Sequence, residues 1–196
     1  TECILYNIKY GEKMIIAIIP AKGGSTRLPN KNMSELNGQP MINYAIEYVK
    51  KSKLIDKAYI TTDSDLIDLH CSKLGWEVIR RPVSLGGETP IIDVYKDALN
   101  KIKNNHAVEI LVGVQPDLPD RNIGIDEAIN LFKNKNADRL ISTEADGTKN
   151  GAHYILSKTF LSSGISIKDH IVVDDCTNVH FESDLKKAAI RLKDKC

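Results

Sequence analysis

A glycine-rich segment directly after an apolar run is the part of the chain best suited to binding an anion. Residues 21–32 read AKGGSTRLPNKN and follow the run MIIAII at 14–19. The adjacent Gly23 and Gly24 let the backbone approach a ligand closely, so that its N–H groups can face an oxyanion. The apolar run predicts a buried parallel strand, and the segment therefore begins where that strand ends.

Three cations lie beside these glycines: Lys22, Arg27 and Lys31. Backbone donors fix the position of a triphosphate, and mobile cations stabilise the charge that shifts toward a departing pyrophosphate. The segment is neither a Walker A loop nor a GxGxxG motif. We predict that it binds phosphate. The alternative, a solvated basic turn, explains the charges but not their combination with two glycines after a buried strand.

Three other polar positions each follow a predicted strand: Asp63, Arg81 and the segment 115–117. The carboxyl ends of parallel strands meet at one edge of a sheet, where ligands of such sheets bind. We therefore expect these positions to gather beside the glycine-rich segment and to form one site with it.

Strand and helix patterns alternate along the chain almost without a break. Strands are predicted at 14–19, 57–61, 76–79, 109–114 and 139–142, with weaker ones at 152–156 and 171–173. Helices are predicted from 41 to the lysines at 50–53, at 64–74, from a cap at Thr89 to 102, at 123–134 and at 182–193. This alternation predicts an α/β fold, a three-layer Rossmann-like arrangement with a mostly parallel sheet.

Length and composition exclude several classes of protein. The 196 residues fit one domain at 14–196, preceded by an N-terminal extension at 1–13. A balance of 27 basic and 26 acidic residues gives no overall field for binding nucleic acid or an anionic membrane. No apolar run approaches the roughly 18 residues of a membrane-spanning helix. The four cysteines are far apart and form no CxxC pair, which favours unpaired thiols in a reducing cytoplasm.

The glycine-rich segment and its surroundings resemble the opening of a known family. IIPAKGGSTRLPNKN followed by LNGQPMI is similar to the start of the cytidylyltransferases that make CMP-sialic, CMP-pseudaminic or CMP-legionaminic acid and CMP-KDO. The resemblance continues through ITTDSDLI, RRPVSLGGETPIIDVYKDAL, VQPDLPDR, NGAHYI and ESDL. It implies a GT-A-like fold that transfers CMP from CTP to a 2-keto-3-deoxy sugar acid and releases pyrophosphate.

The resemblance also implies which residues bind the nucleotide. The expected set is Ala21, Lys22, Gly23, Gly24, Ser25, Asn32, Arg81 and Gln115. Arg81 resembles the family arginine near the base or ribose, and Gln115 resembles the cytosine-side glutamine. Lys31, Lys22 and Arg27 are the expected catalytic cations, with Lys31 stabilising charge on the α-phosphate. The family usually has arginine at position 22, where lysine keeps the charge without the bidentate fork.

A divalent cation, Mg²⁺ or Mn²⁺, is the implied cofactor, with Asp117, Asp175 and His180 as its expected ligands. Asp117 in VQPDLP is similar to the metal aspartate of the KDO branch. The family has further aspartates shortly before its last helix, where this chain has Asn178 and His180, poorer Mg²⁺ ligands. Three alternatives are open. Asp174 or Asp175 substitutes from a shifted loop, the metal differs or depends on Asp117 and phosphates alone, or the chain is inactive.

A deletion is the second departure from the family. Only the segment EADGTKN at 144–150 stands where relatives have a long insertion that closes over the sugar and forms the dimer. The chain is thus a shortened variant, and both the acceptor and a homodimer are left open. Asn150 and His153 are expected on the acceptor side. Two alternative functions remain: a transferase of the same fold with another NTP or a small acceptor, and a nucleotide-binding homologue without turnover.

Overall fold

The computed structural model describes residues 13–87, 89–102 and 107–195. The predicted N-terminal extension therefore lies outside the described residues, except for Lys13, whose ammonium group pairs with the carboxylate of Glu109. No described helix is long and apolar enough to span a membrane.

Strands and helices alternate through most of the chain, as predicted. The strands are β1 Met14–Ala21, β2 Glu35–Leu36, β3 Gln39–Pro40, β4 Lys57–Thr62, β5 Val78–Arg80, β6 Val108–Gly113, β7 Arg139–Thr143, β8 Lys149–Ser157 and β9 Asp169–Val173. The helices are α1 Ile42–Lys50, α2 Asp65–Lys73, α3 Ile91–Lys101, α4 Ile125–Asn134, α5 Lys158–Ser163 and α6 Glu182–Lys193. Two short 3₁₀ turns lie at Lys31–Met33 and Val83–Leu85.

Seven of these strands form one sheet in the order β5-β4-β1-β6-β8-β7-β9. Strand β8 is antiparallel to both of its neighbours, whereas the other neighbouring pairs are parallel. The strand order reverses between β1 and β6, and ligands of open α/β sheets bind beyond the carboxyl ends of the strands at such a point. The topology therefore places a cleft next to residues 21–32 and 115–117.

The isoleucine-rich β1 is covered on both faces. Ala17 and Ile19 pack on the face covered by α1, α2 and α4. Ile16 and Ile18 point to the other face, where α3 and α5 lie. All four side chains are fully buried, which explains why this strand reads as a continuous apolar run rather than an alternating one. The predicted three-layer α/β fold is confirmed.

Helix ends follow local capping chemistry. The Ser64 hydroxyl caps α2 by accepting from the Ile67 amide, and Gly75, at φ 81°, follows that helix as predicted. The predicted cap at Thr89 is wrong. Its hydroxyl donates instead to the carbonyl oxygens of Ser84 and Gly86, and α3 begins only after Pro90.

A short hairpin of β2 and β3 was not predicted, because two-residue strands carry no readable period. Asn37 and Gly38 form its turn, both with positive φ. The hairpin packs against α6 through Leu36 and Ala188, and the Asn37 side-chain amide donates to the Ala189 carbonyl oxygen. This contact fixes the last helix beside the segment that follows β1.

A bulge with several extra residues on β8 interrupts the pairing of β7 with β8. Ile141 lies opposite Tyr154, and Thr143 lies opposite Lys149. The single residue Ser142 therefore faces residues 150–153 of β8, which leaves β8 with extra residues at this point. Residues 150–153 of the NGAHYI segment therefore have no partner in the register of β7 and β8.

Candidate active site

A cavity of about 370 Å³ lies at the edge of the sheet where β1 and β6 end. Its walls come from the segment after β1, the turn after β5 and the segment after β6. The predicted site residues that line it are Lys22, Gly24, Ser25, Arg27, Lys31, Asn32, Arg81, Gln115, Asp117 and His180. The polar residues after β5 and β6 thus lie beside the glycine-rich segment, as expected, whereas Asp63 does not line the cavity and contacts Gly23 and Arg81 instead.

Positive charge is concentrated at this cavity. Of its lining residues in the described part of the chain, four carry a cationic side chain, namely Lys22, Arg27, Lys31 and Arg81, and Asp117 alone carries a carboxylate. The whole chain has a net charge of only +1. The local excess must therefore act at short range, as expected for a site that holds an anion.

The two glycines of the loop have different roles. A Cβ atom on Gly23 would lie 2.7 Å from the Ser64 Cβ, and the Gly23 amide donates to Asp63 Oδ1 at 2.7 Å. Gly23 is thus required by packing, and its N–H is not offered to a ligand. A Cβ on Gly24 would meet no atom within 4 Å, and Gly24 lines the cavity with Ser25.

Ala21 does not contact the cavity. It is the last residue of β1, pairs with Thr62 and is fully buried. Of the predicted phosphate-binding residues 21–25, Lys22, Gly24 and Ser25 line the cavity, and Ala21 and Gly23 do not. The Asn32 side-chain amide donates to the Lys22 carbonyl oxygen at 2.9 Å and closes the loop on itself.

Lys31 is a buried cation in the wall of the cavity. Its Nζ donates to Asp117 Oδ2 at 2.7 Å and to the Val179 carbonyl oxygen at 3.0 Å. Only 8% of the side chain is exposed, so this pair is screened far less than a surface pair. Since an ammonium group has three N–H donors, one remains for a ligand.

Arg81 brings a second buried cation to the site. Its Nη2 lies 4.0 Å from Asp63 Oδ1, and only 3% of the side chain is exposed. Burial lowers the pKa of the Arg81 guanidinium from its ordinary value, and the Asp63 carboxylate opposes that shift. The group stays charged at neutral pH, because an arginine pKa starts so high.

Several polar atoms at the cavity lack protein partners. Among the residues that the structure describes, seven buried side-chain polar atoms make no hydrogen bond. Four of them belong to lining residues: Nε and Nη1 of Arg81, Oδ1 of Asn32 and Oδ1 of Asp117. Buried polar groups without partners are costly, so their concentration at one cavity indicates that a polar ligand satisfies them.

Arg121 supports the segment after β6. Its guanidinium donates to the carbonyl oxygens of Gln115 and Leu118 and, from Nε at 2.8 Å, to that of Ala152. The segment that carries Gln115 and Asp117 is therefore held by one side chain. Sequence reasoning missed this residue, although an arginine closing the motif QPDLPDR was the available signal.

Besides Ala21 and Gly23, three predicted site residues are not brought to the cavity, and these predictions are corrected. Asp175 lies in the segment before α6, is exposed, and its Oδ2 is 3.9 Å from Arg191. Asn150 and His153 are buried in the bulge of β8. The Asn150 amide donates to the Asp174 carbonyl oxygen, and His153 Nε2 lies 2.7 Å from Asp174 Oδ2. Both side chains brace the bulge instead of facing a substrate.

The buried pair of His153 and Asp174 predicts sensitivity to acid. Burial lowers the pKa of His153 and outweighs the opposing hydrogen bond with Asp174. Burial acts to raise the pKa of Asp174, but hydrogen bonds from His153 and from the amides of Asn122 and Ile123 lower it to about 2. We expect the free energy of unfolding to fall as pH drops below about 6.5, because unfolded histidine then takes up a proton that the folded site refuses.

The free energy of unfolding should decrease again, by on the order of 2 kcal/mol, between about pH 4 and pH 2. In this range the aspartate takes up a proton in the unfolded chain, while the folded protein still keeps Asp174 ionised. Urea unfolding at a series of pH values measures both steps. In His153→Gln the slope between pH 7 and pH 5 should be smaller than in the wild type. An unchanged slope in that variant would show that other groups cause the first step.

Comparison with solved structures identifies the fold first. The chain superposes on the CMP:2-keto-3-deoxy-manno-octonic acid synthetase complexed with CTP with a TM-score of 0.75, at 15% identity, covering 93% of this chain and 100% of that one. Identity this low establishes the fold alone. The two chains share one α/β fold with a mostly parallel sheet.

Sequence comparison then identifies the family. The cytidylyltransferase family model matches residues 16–160, and the chain belongs to this family. It is 32% identical over 130 residues to an N-acylneuraminate cytidylyltransferase of Streptococcus agalactiae, covering 65% of this chain and 31% of that protein. It is 36% identical over 111 residues to 3-deoxy-manno-octulosonate cytidylyltransferase 2 of Hydrogenovibrio crunogenus, covering 57% and 43% respectively. The chain thus spans less than half the length of these relatives, and the family predicted from the opening motif is confirmed.

Proposed function

We propose that the chain transfers CMP from CTP to a 2-keto-3-deoxy sugar acid of the sialic acid or KDO type and releases pyrophosphate. The observation that carries the proposal is the concentration of four cationic side chains and four unpartnered polar atoms at one cavity beyond β1 and β6. A nucleoside triphosphate is highly charged and rich in acceptors, so it matches the four cations and the two Arg81 donors. The two oxygens, Oδ1 of Asn32 and Oδ1 of Asp117, are acceptors and would take an N–H or O–H donor of the nucleotide or a divalent cation. The relatives named above act on sugar acids of this kind, as their names state.

The reaction would be an in-line displacement at the α-phosphorus. The anomeric hydroxyl oxygen of the sugar acid forms a bond to the α-phosphorus and loses its proton to water. The bond from that phosphorus to the oxygen bridging to the β-phosphate breaks, and pyrophosphate leaves with the bonding electrons. Lys31 would donate its remaining N–H to an α-phosphate oxygen, where charge builds up in the transition state. Lys22 and Arg27, which are more exposed than Lys31, would hold the departing phosphates.

The residues at the cavity fit a divalent cation that is shared with the phosphates. Asp117 offers a carboxylate oxygen, Oδ1, that has no partner in the described part of the chain. No group of three or more His, Cys, Asp or Glu side chains that could hold an ion alone occurs among the described residues. Asp117 would therefore act with phosphate oxygens, and His180, which also lines the cavity, is the second candidate ligand. A bound Mg²⁺ or Mn²⁺ would neutralise phosphate charge and orient the triphosphate.

Thiol chemistry plays no part in the proposal. Burial raises the pKa of the Cys71 thiol to about 11 and that of Cys176 to about 12. Both thiols are unpaired and protonated at neutral pH, and a protonated buried thiol is a poor nucleophile. Unpaired thiols suit the cytoplasmic location that we predicted, which remains a prediction, as does a homodimer.

A smaller acceptor is the second candidate. The connection between β7 and β8 is a tight turn, in which the Glu144 amide donates to the Thr148 carbonyl oxygen at 2.8 Å and the Gly147 amide to that of Glu144 at 3.0 Å. A turn this short cannot extend over a bound sugar. This observation favours either an open acceptor site or a nucleotidyltransferase with a small acceptor.

A screen of pyrophosphate release distinguishes these functions. The full chain would be mixed with each of the four common NTPs, several 2-keto-3-deoxy sugar acids, and Mg²⁺ or Mn²⁺. We expect release only with CTP and one class of sugar acid. Release with a different NTP, or only when a small phosphorylated or phosphonate compound replaces the sugar acid, would support the second candidate. Nucleotide binding without release would indicate a homologue that does not turn over.

A further inference from the structure

We propose that Asp63 is a positioning residue for the triphosphate site, in which one carboxylate oxygen holds the glycine-rich segment and the Arg81 guanidinium in a fixed relation to each other. The inference rests on the proposed function, because it takes a nucleoside triphosphate as the ligand of the cavity. Asp63 does not line the cavity, so it would act on the ligand only through Gly23 and Arg81.

The fold places Asp63 between the two segments that it would connect. Strand β4 ends at Thr62 and lies between β1 and β5 in the sheet. Thr62 pairs with Ala21, the last residue of β1, and also with Arg80, the last residue of β5. The first residue after β4 therefore has the chain after β1 on one side and the chain after β5 on the other.

One oxygen of Asp63 makes both contacts. Oδ1 accepts from the Gly23 amide at 2.7 Å, and the same atom lies 4.0 Å from Nη2 of Arg81. Only 9% of the Asp63 side chain and 3% of the Arg81 side chain are exposed, so solvent screens this charge pair far less than a surface pair. A hydrogen bond to a carboxylate is also stronger than one between neutral groups. Asp63 thus restrains both partners from behind the wall of the cavity.

Arg81 depends on Asp63 for its counter-charge. Burial lowers the pKa of the Arg81 guanidinium, and the carboxylates of Asp63 and Asp97 oppose that shift. The Asp97 carboxylate pairs with Lys101 at 2.8 Å, whereas Asp63 lies against the guanidinium itself. Nε and Nη1 of Arg81 make no hydrogen bond in the described part of the chain. Attraction of Nη2 to Asp63 therefore leaves these two donors for a ligand of the cavity, which Arg81 lines.

A second connection between the same two segments is less permanent. Lys22 Nζ donates to the Gly87 carbonyl oxygen at 3.2 Å, and this contact is exposed. In the proposed complex the Lys22 ammonium group would bind the departing phosphates, which are stronger acceptors than a neutral carbonyl oxygen. The Gly23 amide and Nη2 of Arg81 already face Asp63 and would not be taken by the phosphates. We therefore expect Asp63 to keep the two walls together when a triphosphate is bound.

The charge of Asp63 and its role as an acceptor can be removed separately. Asparagine keeps an oxygen for the Gly23 amide and removes the charge that faces Arg81, whereas alanine removes both. The matched control is Asp65→Asn. It removes the same charge two residues further on, where the side chain is 98% exposed and pairs at 2.8 Å with Arg80.

The test measures the binding of CTP and of inorganic tripolyphosphate by calorimetry in Mg²⁺ buffer. The proteins are the wild type, Asp63→Asn, Asp63→Ala, Asp65→Asn, Arg81→Met and the double variant of Asp63→Asn with Arg81→Met. Tripolyphosphate is a probe for the phosphate-binding segment, because it has no nucleoside. Melting curves by circular dichroism establish that each variant is folded.

Asp65→Asn should bind both ligands as the wild type does. Asp63→Asn should bind CTP about tenfold more weakly, the value of one hydrogen bond to a charged group. In the Arg81→Met background the same change should have almost no further effect on CTP, because the charge of Asp63 acts through Arg81. Asp63→Ala should bind tripolyphosphate about fivefold more weakly than Asp63→Asn does, since only asparagine still accepts from the Gly23 amide. If Asp63→Ala does not fold, the double-variant cycle alone decides.

Three results would overturn the inference and leave the proposed function intact. They are an unchanged CTP affinity in folded Asp63→Asn, losses of Asp63→Asn and Arg81→Met that add in the double variant, and an equal loss in Asp65→Asn. A purely structural role would lower the melting temperature without making the loss of CTP affinity depend on Arg81. A wild type that does not bind CTP would instead refute the proposed function, and the inference with it.

Discussion

Replacement of Lys31 by alanine is expected to lower turnover by about 100- to 1000-fold while CTP affinity falls by about tenfold or less. The ammonium group has two acceptors in the protein, Asp117 Oδ2 and the Val179 carbonyl oxygen, and one N–H left for the nucleotide. Its contact with an α-phosphate oxygen strengthens as charge builds there, so its loss affects the transition state more than the bound substrate. Steady-state kinetics and calorimetry with CTP measure the two quantities.

A stability control is needed for this variant, because removal of Lys31 leaves the half-buried Asp117 carboxylate without its counter-charge. We expect a lower melting temperature for Lys31→Ala and a smaller decrease for Lys31→Met, which keeps the apolar stem. Turnover should be equally low in both variants if the charge is what matters. Equal loss of turnover and affinity in a folded variant would contradict the proposed role of Lys31.

Replacement of Asp117 by asparagine should reduce metal-dependent activity by at least about 100-fold. Asparagine has nearly the same shape but lacks the charge that attracts a divalent cation, and the Oδ1 atom without a partner belongs to this carboxylate. Titration of Mg²⁺ and Mn²⁺ into the CTP-loaded protein should also show weaker binding of the cation. Activity and cation affinity together distinguish the loss of a metal-binding carboxylate from a loss of catalysis alone.

Asp175→Asn is the matched control for this change. It removes the same charge from a nearby aspartate whose side chain is 69% exposed and which does not line the cavity. We expect it to keep nearly full activity. Because Lys31 and Asp117 are in contact, their double variant should lose less than the sum of the single losses. Full activity in Asp117→Asn would rule out the ligand assignment.

The central strands, the helices that cover them and the position of the cavity could be predicted from local patterns. A buried parallel strand has a continuous apolar run, as at 14–19, and polar residues after such strands gather at one edge for topological reasons. The phosphate-binding role of the cations after β1 could be proposed from sequence, because positive charge beside two adjacent glycines after a buried strand is typical of an anion-binding loop. The helix α6 was predicted with the bounds that the structure has.

The incorrect predictions concern positions whose structure is determined by tertiary packing and not by local sequence. The bulge between β7 and β8 turns Asn150 and His153 inward, and a bulge leaves no mark in the apolar period of so short a strand. The use of the Gly23 amide by Asp63 depends on two strands lying side by side, which the loop sequence alone does not contain. The Gln115 side-chain amide occupies the space where a Cβ atom of residue 151 would lie, and these two residues are distant in the chain.

Calorimetric titration of CTP, with cytidine titrated in parallel under the same Mg²⁺ conditions, tests the phosphate-binding cavity most directly. Since Gly24, Ser25 and the cations Lys22, Arg27 and Lys31 face the phosphate tail in the proposed complex, CTP should bind at least about 100-fold more tightly than cytidine. Equal affinity for the two compounds, or no heat with CTP, would contradict a phosphate-binding role for this cavity.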